Sequence, residues 1–424
     1  MTRGETNGTK LTADDPGGKE GSGVPGGEAS VEGVVLAGVH AWGECVLESV
    51  LCRPLFPVAG YPLIGHTLNW LREGGIRKIS ICANSDTSTL RRHLGGGPTS
   101  ALELHYYEDK MPRGPAGCAR DAMINSGADT FVVVEGTILP QVNIAELLAA
   151  HRSSGAVLTV VVTDREPGRR GCETPQAERL EPVGVYVFSA AALEHVSPRG
   201  YQDIKETLVP LLYGKGLRLR TYTVSSAQAP RVTNAASYMA MSKWAVERLA
   251  VEGSTPEGYV KIQEALIHES ARLHASARFV GPVLIGPHCR IDEDAMVIGP
   301  TSVGAGCVIG RQAVVSRSVL WTACQVGAGA VLDQCILTDA AAVQDEMVMR
   351  EMVCLARPRR WNWTERLRAW PWGTRSRTTV TYVPAAVPAM PVVGKARSPN
   401  VVVKSDLKRM AASSAVHGAR EGDC

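Results

Sequence analysis

The sequence predicts an α/β fold in two parts: a Rossmann-like, mostly parallel sheet with helices on both faces, then a left-handed parallel β-helix of hexapeptide repeats. From Val31 to about Ala250, short apolar runs alternate with helix-period segments, the βα alternation that sandwiches a parallel sheet between helices. From Leu273 an aliphatic residue recurs at every sixth position, and a sustained fixed period means stacked equal coils. Composition agrees, with 45% hydrophobic and 21% charged residues in a chain of 424, a globular balance. The 43 glycines and 25 prolines against 5% aromatics favour tight turns over an aromatic-packed core.

In the first part, Val34-Val35-Leu36-Ala37 reads as a buried strand and 62–74 (PLIGHTLNWLREG) as an amphipathic helix. Lys78-Ile79-Ser80-Ile81 is a second strand, 87–94 a helix, Leu102–Tyr107 a strand, 116–126 a helix and Phe131–Val134 a strand. Asn143 can cap a helix through Ser153 that Gly155 ends, with a strand at Ala156–Val162 beyond. A strand at 184–188 (GVYVF) and helices at 203–213 and about 235–250 complete this domain, 31–254. A linker helix is expected over 255–270.

In the β-helix, 271–354, the inward aliphatics are Leu273, Phe279, Ile285, Ile291, Val297, Val303, Ile309 and Val315, with a small or apolar residue four positions after each. One short step at 321–325 restores the frame at Val326, Leu332 and Thr338, followed by Ala330, Ile336 and Ala342. About twelve such steps make roughly four coils. Cys289 and Cys307 fall one coil apart at the small inward position and are expected to stack as buried thiols rather than hold a metal.

Residues 1–30 are Gly-, Ser- and charge-rich, read as a disordered arm, with no apolar stretch of a secretory signal. The tail, 355–424, is Arg/Trp-rich at first and then loose: 357–377 holds seven arginines, Trp361, Trp363, Trp370 and Trp372, and one acid, Glu365. Interleaved basic and aromatic residues suit an anionic membrane surface; alternatively these tryptophans cap the open end of the β-helix or bind a partner chain. Apolar runs such as 156–162 fall short of the roughly 20 residues that span a bilayer. A net charge of +3, from 45 basic and 42 acidic residues, gives no support to a nucleic-acid partner. Eleven cysteines, an odd number with no CxxC pair, argue for a reducing cytoplasm over a disulfide framework.

The stretch 34–68, and above all 53–68 (RPLFPVAGYPLIGHTL), resembles the N-terminal signature of sugar-1-phosphate nucleotidyltransferases, with the pattern K-P-L-x-P-V-x-x-x-P-L-I-x-H-x-L. RGPAG at 113–117, NIAELLAAHRSSG at 143–155 and GVYVFS at 184–189 match further landmarks in order, and the β-helix resembles that of mannose-1-phosphate guanylyltransferases. The resemblance covers roughly 31–350. It implies attack of a sugar phosphate on the α-phosphate of a nucleoside triphosphate, with pyrophosphate leaving. Such chemistry rests on charge neutralisation and in-line positioning. The family's parts for it are a G-x-G-T-R loop, a Lys at the first crevice, and two Asp residues that hold Mg²⁺.

Most of these parts are replaced here. Aligned without a gap, the loop's glycines fall on Val39 and Ala41, its Thr on Trp42 and its Arg on Gly43. Side chains at 39 and 41 block close backbone approach to phosphate. Arg53 takes the Lys position as the candidate catalytic residue, and Tyr61 replaces a sugar-side Lys. The first metal Asp aligns with Thr137 and the second near Arg231; a Glu-Lys pair for the sugar phosphate has no clear counterpart in 164–182. The resemblance implies a nucleotide seat at Leu36, Gly38 and the loop Gly114-Pro115-Ala116-Gly117, although that loop also reads simply as a tight strand-to-helix turn. Glu135 is counted with this nucleotide seat, where it either replaces a lost carboxylate or merely ends its strand.

Three functions follow. The first is a catalytically impaired homologue in nucleotide-sugar metabolism, regulatory or scaffolding, which binds a nucleotide or nucleotide sugar in a homo- or hetero-oligomer with an active paralogue. The second is an active enzyme with a rearranged site built on Glu135, Asp164 or His40. The third is a β-helix acyltransferase, for which His274 and His288 are the candidates. No metal ligand or cofactor is assigned, and Mg²⁺ belongs to the site only if activity is retained.

Overall fold

The computed structural model describes residues 30–38, 45–83, 86–94, 101–108, 113–164, 180–225, 228–252, 255–357 and 379–384. The expected arm, the phosphate-loop positions Val39 to Gly43 with His40, and residues 358–378 of the Arg/Trp segment lie outside them.

The first domain is a seven-stranded sheet. Its elements are β1 (Val31–Leu36), α1 (Leu63–Glu73), β2 (Lys78–Ala83), α2 (Thr87–Leu94), β3 (Glu103–Glu108), α3 (Gly114–Met123) and β4 (Thr130–Glu135). α4 (Ile144–Ser154), β5 (Leu158–Asp164), β6 (Leu180–Ser189), α5 (Val209–Gly214), β7 (Leu219–Val224) and α6 (Ala235–Val251) follow. The spatial order is β3-β2-β1-β4-β6-β5-β7, parallel throughout except that β6 runs antiparallel to both β4 and β5.

Both faces of the sheet are buried, which is why β1 and β4 read as unbroken apolar runs. Val35 of β1 and Val132 and Val134 of β4 face α1, α2 and α4. Val34, Leu36 and Val133 face α3 and the segment 204–212. Asn143 caps α4 by accepting from the Glu146 N–H at 3.2 Å, and Gly155 closes it in the left-handed conformation, as the sequence predicts.

Three elements depart from expectation. The helix expected at 203–213 begins as a π-type turn, Ile204–Leu208, before α5; Pro210 has no N–H to continue a regular ladder through the joint. Strand β7, whose alternation of Arg220, Thr221 and Thr223 with apolar residues is muted, was not anticipated. The linker helix expected at 255–270 is instead a β-hairpin, β8 (Tyr259–Ile262) and β9 (Ala265–His268). Val260, Ile262 and Ile267 are β-branched and stiff in a helix. Ala265 and Ile267 point into the β-helix core while Leu266 points out of it, so their apolar run is a strand buried on both sides.

From β9 onward the chain winds as a triangular prism. One face carries 265–268, 283–285, 301–303, 319–320, 336–337 and 352–357; the other two have five strands each, one more coil than the repeat count implies. Neighbouring coils pair parallel, Ile285 with Val303 and then Val303 with Leu320. The short step lies at 315–320 rather than 321–325 and recurs at the same corner, so that Leu320, Leu337 and Cys354 point inward. Val319, Trp321 and Ile336 point outward. The wall they form packs on the first domain, so both of its sides are apolar and the sequence pattern could not distinguish them.

Cys289, Cys307 and Cys324 stack as a buried column, with the Cys289 thiol donating to the Gly304 carbonyl and the Cys307 thiol to the Trp321 carbonyl, each at 3.0 Å. Part of the expected loose tail is ordered: Thr379–Pro384 pairs antiparallel with Met352–Arg357.

The two domains share one core. Phe56, Tyr238 of α6 and Trp321 meet with ring centroids 5.3 to 6.2 Å apart. Trp321 Nε1 donates to the Tyr238 hydroxyl at 2.8 Å, and that hydroxyl donates to the Pro57 carbonyl at 2.5 Å. No helix among the described residues is long and apolar enough to cross a membrane.

Candidate functional site

In an open α/β sheet the crevice beyond the carboxyl ends of the central strands is the natural ligand site. Glu135 ends β4 there, opposite Leu36 of β1, and is almost fully buried. The chain just after it, 137–139, runs antiparallel to 230–232: Val232 N–H donates to the Thr137 carbonyl and Leu139 N–H to the Pro230 carbonyl, each at 2.9 Å. This short pairing brings together Thr137 and Arg231, the two positions aligned with metal-binding aspartates, and aims Arg231 at Glu135.

The result is a buried ion pair. Arg231 Nη1 donates directly to Glu135 Oε2. Lys205 Nζ approaches the other carboxylate oxygen at 3.8 Å, and the Tyr186 hydroxyl donates to that oxygen at 3.5 Å. Lys205 is set by its turn, where Asp203 caps the Lys205 and Glu206 N–H groups at 2.6 and 2.8 Å. Burial pushes the Lys205 ammonium below its ordinary pKa, against the pull of Glu135. Burial first, and Glu135 second, push the Tyr186 phenol well above its own, so it stays a donor.

The backbone of β6 makes room for the pair. Gly184 takes a φ of +90, which favours glycine, and a Cβ there would lie 2.6 Å from Arg231 Nη2 and 2.8 Å from Glu135 Cδ.

The other anticipated residues are placed as follows. Arg53 is buried, and its Nη2 donates to Glu48 Oε2 at 2.9 Å. Leu36 packs in the apolar layer against α3, and its carbonyl accepts from Gly136 N–H at 2.8 Å. Gly38 N–H donates to the Cys82 carbonyl at 3.1 Å. Gly114 takes a left-handed φ of +73 against the Gln202 backbone, Ala116 N–H donates to the Gln202 carbonyl at 3.0 Å, and Gly117 lies beside the Arg113 side chain. That is the geometry of a tight strand-to-helix turn fastened to a neighbouring segment. His274 and His288 stand on exposed corners of the β-helix, where His274 Nδ1 meets Ser276 Oγ at 2.9 Å and His288 N–H donates to Ser270 Oγ at 2.9 Å. The side chain of Asp164 and the remaining residues up to 179 are outside the described set.

Sequence reasoning missed Lys205, Tyr186 and Gly184 as members of the site, and Glu48 as the partner of Arg53. The one available signal was the Asp203-Ile204-Lys205 helix start, which puts a lysine within a turn of its cap.

Two family models match the chain: Nucleotidyl transferase over residues 47–183, and GMPPB C-terminal domain over 261–359. Among curated proteins the chain is similar to mannose-1-phosphate guanylyltransferase of Mycobacterium tuberculosis, 24% identical over 204 residues, covering 44% of this chain and 56% of that one. It is also similar to glucose-1-phosphate thymidylyltransferase of Streptomyces griseus, 26% identical over 283 residues, 61% of this chain and 79% of that one. A third relative is the mannose-1-phosphate guanylyltransferase catalytic subunit beta of Dictyostelium discoideum, 26% identical over 175 residues, 36% of this chain and 48% of that one. The match to the guanylyltransferases spans about half of their length.

Proposed function

Since the chain belongs to the sugar-1-phosphate nucleotidyltransferase family, we propose that it serves nucleotide-sugar metabolism as a catalytically impaired homologue, regulatory or scaffolding in role, that still binds a nucleotide or nucleotide sugar. The observation that carries this reading is the Arg231–Glu135 ion pair, in which Arg231 stands near the position aligned with one of the family's metal-binding aspartates. Activating a triphosphate for in-line attack needs charge placed on the transferring and leaving phosphates, and the loss of one such group costs about 3–4 kcal/mol of barrier. Here the substitutions at Thr137 and Arg231 add to Val39, Ala41 and Gly43 in the loop and to Arg53, whose charge is shared with Glu48. Such losses do not add simply, but each acts in the same direction.

Binding is proposed at the mouth of the sheet, between Leu36–Gly38 and the Gly114–Gly117 turn. That one relative is named as a catalytic subunit supports an assembly with an active paralogue. The nine described cysteines are all free thiols, which supports a reducing cytoplasm.

The test is pyrophosphate release from a panel of nucleoside triphosphates and sugar 1-phosphates with Mg²⁺. The expected turnover lies at least about a thousandfold below an ordinary enzymatic rate of roughly 10 s⁻¹. Release at that ordinary rate with any pair overturns the reading.

A further inference from the structure

We propose that one uncovered wall of the prism is a self-association surface, which takes the same wall of a second copy of this chain. The inference uses no residue of the crevice and stands apart from the catalytic reading.

The wall consists of Arg278–Val280, Met296–Ile298, Val314–Ser316, Val331–Asp333 and Val348–Arg350, stacked parallel and in register. The middle residue of each strand packs in the prism core, so the first and third face outward. Along the first outward row, Arg278 is followed by Met296, Val314, Val331 and Val348, an apolar ridge unbroken over four coils. The second row opens with Val280 and Ile298 and turns polar at Ser316, Asp333 and Arg350. Val280 is 52% exposed and Val348 62%.

The other two walls show what such a ridge means. The wall under the first domain carries Leu284, Val319 and Ile336 on its outer side, and all three are buried. The remaining wall has an outward row of Arg272, Arg290, Val308, Gln325 and Ala342, with only Val308 large and apolar. In this chain an apolar outer row goes with a covered wall and a polar one with an open wall. The wall from Arg278 to Arg350 has the composition of a covered one, and a contiguous exposed apolar patch marks an interaction surface.

Charge selects a second copy as what covers it. The four corners of the wall alternate in sign. Arg278 stands where the chain enters the first coil of the wall, and Arg350 where it leaves the fifth. Glu346, two residues before Val348, holds the entering edge of the fifth coil in an exposed left-handed turn with φ +59. Glu264 holds the leaving edge of the first coil, its Oε2 lying 3.8 Å from where Gly281, next after Val280, would carry a Cβ. Arg278, Glu264 and Glu346 make no ion pair among the described residues. Plus beside minus over minus beside plus is its own complement when the face is turned over a two-fold axis, whether that axis runs along the strands or along the prism. Arg278 meets the partner's Glu346 in the first case and the partner's Glu264 in the second. Other charges nearby are matched within the chain: Arg317 pairs with Asp333 at 2.6 Å, Arg350 flanks Asp333 in register, and Lys243 of α6 lies among Glu247, Glu351 and that pair. Glu293 and Asp294 on the entering edge come opposite uncharged turns at 328–329 or 299–300. Electrostatic matching of this kind fixes partner and register.

Sedimentation velocity of the full chain over a dilution series tests this. Five short strands make a small interface, so a reversible monomer–dimer equilibrium is expected with a Kd on the order of micromolar to tens of micromolar. Val314→Glu, at the middle of the ridge, sets two carboxylates against each other and is expected to raise the Kd at least about a hundredfold. Val348→Arg, at the exposed end, is expected to act in the same direction and serves if circular dichroism shows that Val314→Glu does not fold. Arg278→Glu is expected to weaken the dimer at least about tenfold, and a second reversal, Glu346→Arg or Glu264→Arg according to the axis, to restore it. Gln325→Glu on the polar wall is expected to leave the Kd unchanged. A wild type that stays monomeric up to about 0.2 mM leaves the wall to a different chain and overturns the proposal. So does a dimer that survives both Val314→Glu and Val348→Arg, or one that neither second reversal restores. Failure of the catalytic reading is distinct, since rapid pyrophosphate release would change none of these results.

Discussion

Gly184 is the position where one methyl group has the largest foreseeable effect. Its φ of +90 excludes other residues, and its missing Cβ is the space in which Arg231 and Glu135 meet. Gly184→Ala is expected to lower stability by about 2–4 kcal/mol, combining a disfavoured backbone with a disrupted buried pair; urea unfolding of the two proteins side by side checks it. His151 gives a pH prediction. It is buried, shares a hydrogen bond of 2.8 Å with Thr159 Oγ1, and burial, helped by Arg152 and Arg220, pushes its imidazole down to about 4. The unfolded chain takes up this proton near pH 6.5 and the folded chain only near pH 4. The contribution of the neutral imidazole is therefore complete above pH 6.5 and is lost as pH falls to 4, by up to about 3 kcal/mol. Unfolding curves from pH 7.5 to 4 are expected to be less steep in pH for His151→Gln than for wild type; equal slopes would remove His151 from this role. At this scale the sequence is least legible. Glu135 and Arg231 are 96 positions apart, and nothing in either neighbourhood announces that they touch. Only the antiparallel pairing of 137–139 with 230–232 brings Arg231 to Glu135.

Elements were legible wherever local chemistry and burial agree. Helix α4 is the plainest case, with Asn143 at one end, Gly155 at the other and apolar residues on one side between them. Asn143→Ala is expected to cost about 1 kcal/mol, the ordinary worth of such a cap, and thermal melting followed at 222 nm checks it. Elements were misread where both sides of a segment are apolar or both are mixed. The hairpin at 259–268 and the wall containing Val319 and Ile336 belong to the first kind: core lies on either side, so alternation vanishes and a one-residue slip goes unseen. Strand β7 belongs to the second, because threonines and Arg220 occupy its alternate positions even though most of it is buried. Arg220 is accommodated by donating to the carbonyl of Ala150 at the end of α4.

At the scale of the molecule, the change of period near Leu273 was enough to divide the chain into sheet and prism, but not to dock one on the other. Docking rests on a shared apolar core that includes three rings, and Trp321, a residue that broke the hexapeptide frame, is the largest of the buried side chains there. Trp321→Ala is expected to cost about 3–5 kcal/mol and to strip the Tyr238 hydroxyl of its donor. Scanning calorimetry is expected to show one transition for wild type and two for the variant, as sheet and prism come apart; a single transition at unchanged temperature would mean that the rings do not couple them.

That docking also decides how this chain meets its neighbours. A prism has three walls, and one is consumed by its own first domain. Assembly through the coils is thus confined to the other two walls or to the ends of the stack. One remaining wall presents Val280 and Val348 to solvent at opposite extremes.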